Sequence, residues 1–142
     1  MKTVNTGSDQ QLKPARQFCS AFGKGDKRIE VAAMCCGRDV AVTVVGGIKH
    51  HIGAVALAVP RPSLKDPSEI SASASVICVT GHKDDELARD IALKFSSTLN
   101  CIASVSVGIH IDQAQEEEIG ILIHNSECAV NSLINQLRKN NY

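Results

Sequence analysis

Apolar positions fall into short runs through the first half of the chain. "RQFCSAFG", "RIEVAAMCC", "VAVTVVGG" and "IGAVALAV" are each of strand length and rich in Val, Ile or Ala. Turn clusters separate them: "GKGD", "GRD" and the junction around Gly46 and Gly47. "PRPSLKDPSE", residues 60–69, carries three prolines, which predicts a loop or an edge excursion. "ISASASVICVT" alternates small polar with small apolar residues and then turns apolar, a fifth strand entering a sheet.

The period then changes. In "HKDDELARDIALKFSSTLN", Leu87, Ala88, Ile91, Ala92, Phe95 and Leu99 fall on one helical face, and the acids Asp84, Asp85 and Glu86 occupy the first turn. "CIASVSVGIHI" alternates again and predicts a sixth strand. "DQAQEEEIGILI" reads as a short helix interrupted at Gly120. Ser126 is placed to cap a last helix carrying Val130, Leu133, Ile134 and Leu137. The expected fold is α+β: a single domain with a mainly antiparallel sheet of about six strands and about three helices packed on one face. Residues 1–14, polar and ending at Pro14, read as an arm; residues 15–142 read as the domain.

Composition narrows the function. A chain of 142 residues with 44% hydrophobic content has material for one core. Lys+Arg and Asp+Glu are 15 each, so overall charge offers nothing to a nucleic acid or an anionic membrane. The aromatic content of 3%, with no Trp, leaves no base-stacking platform. No apolar run approaches the roughly 20 residues of a membrane span, and the N-terminus has no signal-peptide core, so a cytoplasmic protein is expected. The six cysteines sit mostly inside apolar runs without Cys-x-x-Cys spacing and read as buried free thiols rather than metal ligands or disulfides.

The candidate chemistry lies at strand boundaries. His51 stands between two predicted strands, His82 follows "VICVTG" before a helix, and His110 ends "SVSVGIH" before another. Each has a glycine close by, and strand ends sharing one sheet edge would bring the three imidazoles together. Any one of them alone is more simply a hydrogen-bonded rim residue; the repetition of the arrangement is what favours a site. His50 and His124 stay with the simpler reading, and Glu116, Glu117 and Glu118 with a solvated helix start. Lys83 beside a helix start could meet a phosphate, with Asp84, Asp85 and Glu86 opposing it. The Gly46-Gly47 pair could present backbone N–H groups but matches no Walker or Rossmann pattern. No Gly-x-Ser-x-Gly elbow or His-Glu-x-x-His motif occurs, and a three-histidine metal centre remains open from spacing alone.

Three motifs in order, "VVGG" followed after three residues by "HIG", "HKD" opening a helix, and "GIHIDQ" after a strand, resemble the LpdD family. Its members are small accessory, chaperone-like proteins of UbiD-type decarboxylases, gallate decarboxylase among them. The resemblance runs from about Val40 to the C-terminus. It implies binding of reduced, prenylated flavin mononucleotide (or FMN itself) and its transfer to an apo-decarboxylase. By position it implies a cofactor-binding set of Gly46, Gly47, His51, Gly53, His82, Lys83, Asp84, Gly108 and His110, with no catalytic residue and no metal. His50 stands where the family pattern has Pro, which loosens that loop. A similarity of fold to proteasome-assembly chaperones favours a homodimer or higher homo-oligomer. Two other functions compete: a metal-dependent hydrolase using His51, His82 and His110, and a structural subunit of a decarboxylase complex that binds no cofactor.

Overall fold

The computed structural model of the chain describes residues 14–79 and 84–142. The proposed N-terminal arm up to residue 13 lies outside them, as do His82 and Lys83. Five strands come first: β1 (Gln17–Phe22), β2 (Ile29–Cys36), β3 (Asp39–Gly47), β4 (Ala54–Pro62) and β5 (Ile70–Cys78). Helix α1 (Asp85–Leu99), strand β6 (Ala103–His110) and helix α2 (Glu116–Lys139) complete the chain. The strands form one mixed sheet in the order β1-β2-β3-β6-β4-β5. Every pairing is antiparallel except β3 with β6.

Strict alternation sets the two faces. In β2, Ile29, Val31, Ala33 and Cys35 are buried while their neighbours are exposed; β3 buries Val40, Val42 and Val44, and β4 buries Ala54, Ala56 and Ala58. Both helices lie on this face. Ala88, Ile91, Ala92, Phe95 and Ser96 of α1 are buried, as are Leu122, Ala129, Val130, Leu133, Ile134 and Leu137 of α2. The alanines of α1 and β4 belong to one core cluster and have no bulk to hold a helix away from a strand.

Buried hydroxyls in the helices are satisfied locally. Ser96 Oγ donates to the Cys101 carbonyl at 2.7 Å, closing the end of α1 where Asn100 adopts the left-handed conformation (φ 50°). Ser126 Oγ donates to the Leu122 carbonyl at 2.7 Å. Ser126 is therefore inside α2 and caps nothing. The two helices expected after β6 are one. Gly120 lies on an exposed surface of α2 with open space around it, and the packed face on either side carries the helix through. Among the described residues two helices, not three, cover the sheet. Pro60 and Pro62 lie within β4, beyond the last residue paired with β6, so the proline-rich stretch begins as strand where β4 has only β5 beside it.

Two ties fix the ends of α2. The Gln115 backbone N–H donates to Glu118 Oε2 at 3.0 Å, and Lys27 Nζ meets Glu118 Oε1 at 2.8 Å. These contacts, Lys27 first, hold the Glu118 carboxyl below the usual glutamate range. At the other end Tyr142 donates its hydroxyl to the Arg38 carbonyl at 2.6 Å, and burial drives its phenol far above the ordinary value.

The cysteines correct the expectation of wholesale burial. All six are free thiols, but Cys35 and Cys101 alone are buried; Cys128 is partly covered, and Cys19, Cys36 and Cys78 are exposed. Alternation accounts for the adjacent pair, since Cys35 faces the helices and Cys36 the opposite side. Desolvation raises the thiol pKa of both buried residues.

Two outcomes follow from the fold. Under native conditions Cys35 and Cys101 resist a thiol reagent and react on denaturation, whereas Cys78, on an edge strand, reacts without unfolding; mass-spectrometric mapping of the labels checks this. Because the folded pKa of Glu118 is lowered, its contribution is complete above the ordinary glutamate range and is lost as pH falls through the folded value. Glu118→Gln flattens that part of the acid stability profile, measured by denaturant titration at a series of pH values.

Candidate functional site

β3, β5 and β6 end, β4 starts, and both helices start at one edge of the sheet. Three parts of the chain meet there: residues 48–53 between β3 and β4, Asp84 at the start of α1, and residues 111–115 entering α2. The register sets Gly47 opposite His110. The Ile48 N–H donates to the His110 carbonyl at 2.8 Å, the Gly53 N–H to the Val107 carbonyl at 2.8 Å, and the Val79 N–H to the Gly53 carbonyl at 2.8 Å.

The glycines serve these close approaches. A Cβ on Gly47, whose φ is +76°, would meet the His110 carbonyl. On Gly108 it would meet the His51 carbonyl, and on Gly53 the Asp84 carboxylate. Gly46 lies against the Ile29 side chain and the Arg28 carbonyl. The space that spacing alone suggested for a ligand is filled at these positions by the protein's own chain.

His51 and Asp84 form the inner pair. His51 Nε2 is 3.3 Å from Asp84 Oδ2, with the two side chains 16% and 12% exposed, so solvent screens the contact little. His51 Nδ1 is 3.2 Å from the Lys49 carbonyl, so both ring nitrogens face oxygen. His110 stands edge-on to His51, with ring centroids 6.1 Å apart and planes at 83°. Its Nε2 meets Asp112 Oδ1 at 2.8 Å, an exposed pair that solvent weakens.

Beside this cluster lies a cleft of about 450 Å³ between the end of β6 and the starts of the two helices. Asp84, Glu86 and His110 supply its polar wall; Leu87, Ile109, Ile111, Ala114, Ile119, Leu122 and Ile123 supply an apolar one. The volume is that of a small-molecule site. His51 is not in the lining: it touches both Asp84 and His110 and so positions them. The apolar wall escaped the sequence reading. Ile119, Leu122 and Ile123 have the i, i+3, i+4 spacing of a helical face, but a break expected at Gly120 divided them.

His51, Asp84 and His110 thus come together with Gly47, Gly53 and Gly108. His82 and Lys83 fall outside the described residues. His124 lies elsewhere, edge-on to Phe22 at 6.2 Å. Among the described residues no three His, Cys, Asp or Glu side chains gather as a metal-binding cluster. Among the described residues no helix is long and apolar enough to cross a membrane.

Glycine substitutions separate crowding from conformational freedom. Gly108→Ala forces the His51 backbone aside and costs about 1–3 kcal/mol, the usual penalty of overpacking. Gly120→Ala, in open space on α2, gains about 0.5–1 kcal/mol. Denaturant midpoints of the two variants should move in opposite directions.

Comparison with known proteins adds three findings. The family described as "Prenylated flavin chaperone LpdD-like domain" matches residues 23–138. None of the curated proteins matches the sequence. Among solved structures, a chain from "Crystal Structure of a Novel Chaperone Complex for Yeast 20S Proteasome Assembly" is similar with a TM-score of 0.54 at 14% identity, over 88% of this chain and 96% of that one. A likeness at that identity concerns the fold.

Proposed function

The chain belongs to the prenylated flavin chaperone LpdD-like family, and from that premise we propose that it holds reduced, prenylated flavin mononucleotide and delivers it to a UbiD-type decarboxylase. The observation that carries the reading is the cleft of about 450 Å³ whose apolar wall of Leu and Ile ends on Asp84 and His110. Such a wall suits a flat aromatic ring and a prenyl substituent, and it shields a reduced ring from water and oxidants. His110 offers a hydrogen-bonding edge, and His51 fixes its orientation and that of Asp84. Gly46, Gly47, Gly53 and Gly108 shape the site from beneath rather than touch the cofactor.

The phosphate belongs outside the acidic wall, because Asp84 and Glu86 repel it. Lys83, next in sequence to Asp84, and Lys49, on the loop carrying His51, are the cations suited to it. When bound, the flavin is cargo: its chemistry is carried out in the decarboxylase, and this chain contributes binding, orientation and exclusion of water. A site with an apolar wall and no enclosing ring of charge also permits release.

Anaerobic titration with reduced flavins tests the reading. Reduced FMN should bind more tightly than reduced riboflavin. Lys83→Ala should weaken FMN about tenfold or more, the worth of one charge-assisted contact of roughly 1.5–3 kcal/mol, and leave riboflavin nearly unchanged. His110→Ala should weaken both. Loading of an apo-decarboxylase should be faster from the flavin–chaperone complex than from free flavin. Equal affinities for FMN and riboflavin would remove the phosphate role of Lys83. No binding of either ligand by the folded protein would favour a structural subunit of the decarboxylase complex instead.

A further inference from the structure

Helix α2 carries a second cluster on a side turned away from the cleft. His124, Cys128, Asn131, Asn135 and Lys139 follow one another at i, i+4, i+7, i+11 and i+15, one stripe along the helix. Cys128 Sγ lies 3.6 Å from His124 Nε2, within reach of a thiol-to-imidazole hydrogen bond. The His124 ring stands edge-on to Phe22, with centroids 6.2 Å apart, so β1 helps to set its position. An open groove of about 600 Å³ adjoins this pair, lined by Phe22, Cys128, Asn131, Asn135, Gln136 and Lys139. It lies on the helix side of β1; Cys19 and Ala21 of the same strand face the bare side of the sheet, which no described helix covers. Gln136 donates its amide to the Cys19 carbonyl at 3.1 Å, which fixes the side chain and leaves its oxygen for the groove.

We propose that Cys128 is a site of reversible thiolation and that the groove beside it takes the disulfide of a small, carboxylated peptide thiol. His124 Nε2 receives the Sγ proton as Sγ attacks one sulfur of that disulfide. The Sγ–S bond forms, the S–S bond of the reagent breaks, and the departing thiolate takes the proton from the imidazolium. One half of the reagent stays on Cys128 as a mixed disulfide, and the other leaves as a reduced thiol. The disulfide is itself the oxidant, so the balance needs nothing further. The lining selects the class of reagent. Three carboxamides offer donors and acceptors to peptide N–H and C=O groups, and Lys139 offers its ammonium to a carboxylate. An apolar ligand finds only Phe22. A metal ion finds the thiol and the imidazole, with no third His, Cys, Asp or Glu among the described residues to complete a site. Cys128 is partly covered, which leaves it open to a small reagent. This inference is independent of flavin binding: it concerns another side of α2 and stands if the titration fails.

Glutathione disulfide added to the folded full chain tests it, with adducts mapped by mass spectrometry against time. Cys128 should take the adduct about tenfold faster than Cys78, the exposed thiol of the β5 edge, and dithiothreitol should remove it. His124→Gln, at an exposed position, should slow Cys128 about tenfold or more and leave Cys78 in the same molecule unchanged. Lys139→Ala should slow glutathione disulfide at Cys128 about threefold but not the neutral hydroxyethyl disulfide, which separates recognition by the groove from reactivity of the thiol. Equal rates at Cys128 and Cys78 in the wild-type protein overturn the inference. So does a Cys128 rate that His124→Gln leaves unchanged, or one that Lys139→Ala changes equally for both disulfides or for neither.

Discussion

The parallel pairing of β3 with β6 is the constraint from which the site follows. Parallel strands need a crossover, and here the chain leaves the sheet at its β5 edge, crosses the helix-covered face as α1, and returns in the middle between β3 and β4. That return puts His110 opposite Gly47 and runs β6 beneath the loop that carries His51. It also starts α2 at the same edge as α1, so the cleft is bounded by both helix starts and the end of β6. An antiparallel meander in sequence order would have separated these residues. The small residues are what allow the insertion: Ala103 and the alanines of β4 on the covered face, Gly108 on the other.

Crowding at this edge gives the polar cluster its rigidity. The His51 backbone crosses Gly108, the His110 carbonyl lies on Gly47, and Asp84 occupies the space beside Gly53. Each contact excludes even a methyl group, so the loops have little freedom to settle elsewhere. The imidazoles and Asp84 are then held by backbone packing and not only by hydrogen bonds. Such preorganisation lowers the ordering cost of binding. The apolar wall is less constrained. Ile119 and Ile123 are 47% and 44% exposed on the first turns of α2, so ligand burial there gains free energy by covering surface that water now touches.

Much of this was legible in the sequence. The strands were readable because one buried face imposes period two, and α1 because Ala88, Ile91, Ala92 and Phe95 share one helical face. The convergence of His51 and His110 followed from their position at strand boundaries. The order of strands was not readable, because alternation says which face a residue takes and nothing about which strand lies beside it. Gly120 misled for a local reason: its intrinsic cost is real, but tertiary packing along a 24-residue helix outweighs it. The cysteines misled because an apolar neighbourhood in sequence is compatible with either face of a strand. The glycines lie at this edge of the sheet, but their partners are the protein's own chain, which only the third dimension reveals.

The loop of residues 48–52 touches both faces of the sheet. It crosses the bare face at Gly108, and it carries His51, which holds Asp84 and His110 at the cleft. Ile48 and Ile52, flanking that histidine, are 56% and 60% exposed. They continue the apolar surface of the sheet toward the edge where the cleft lies. The histidine of a small, aromatic-poor protein is in this way supported by glycine-permitted packing within the chain.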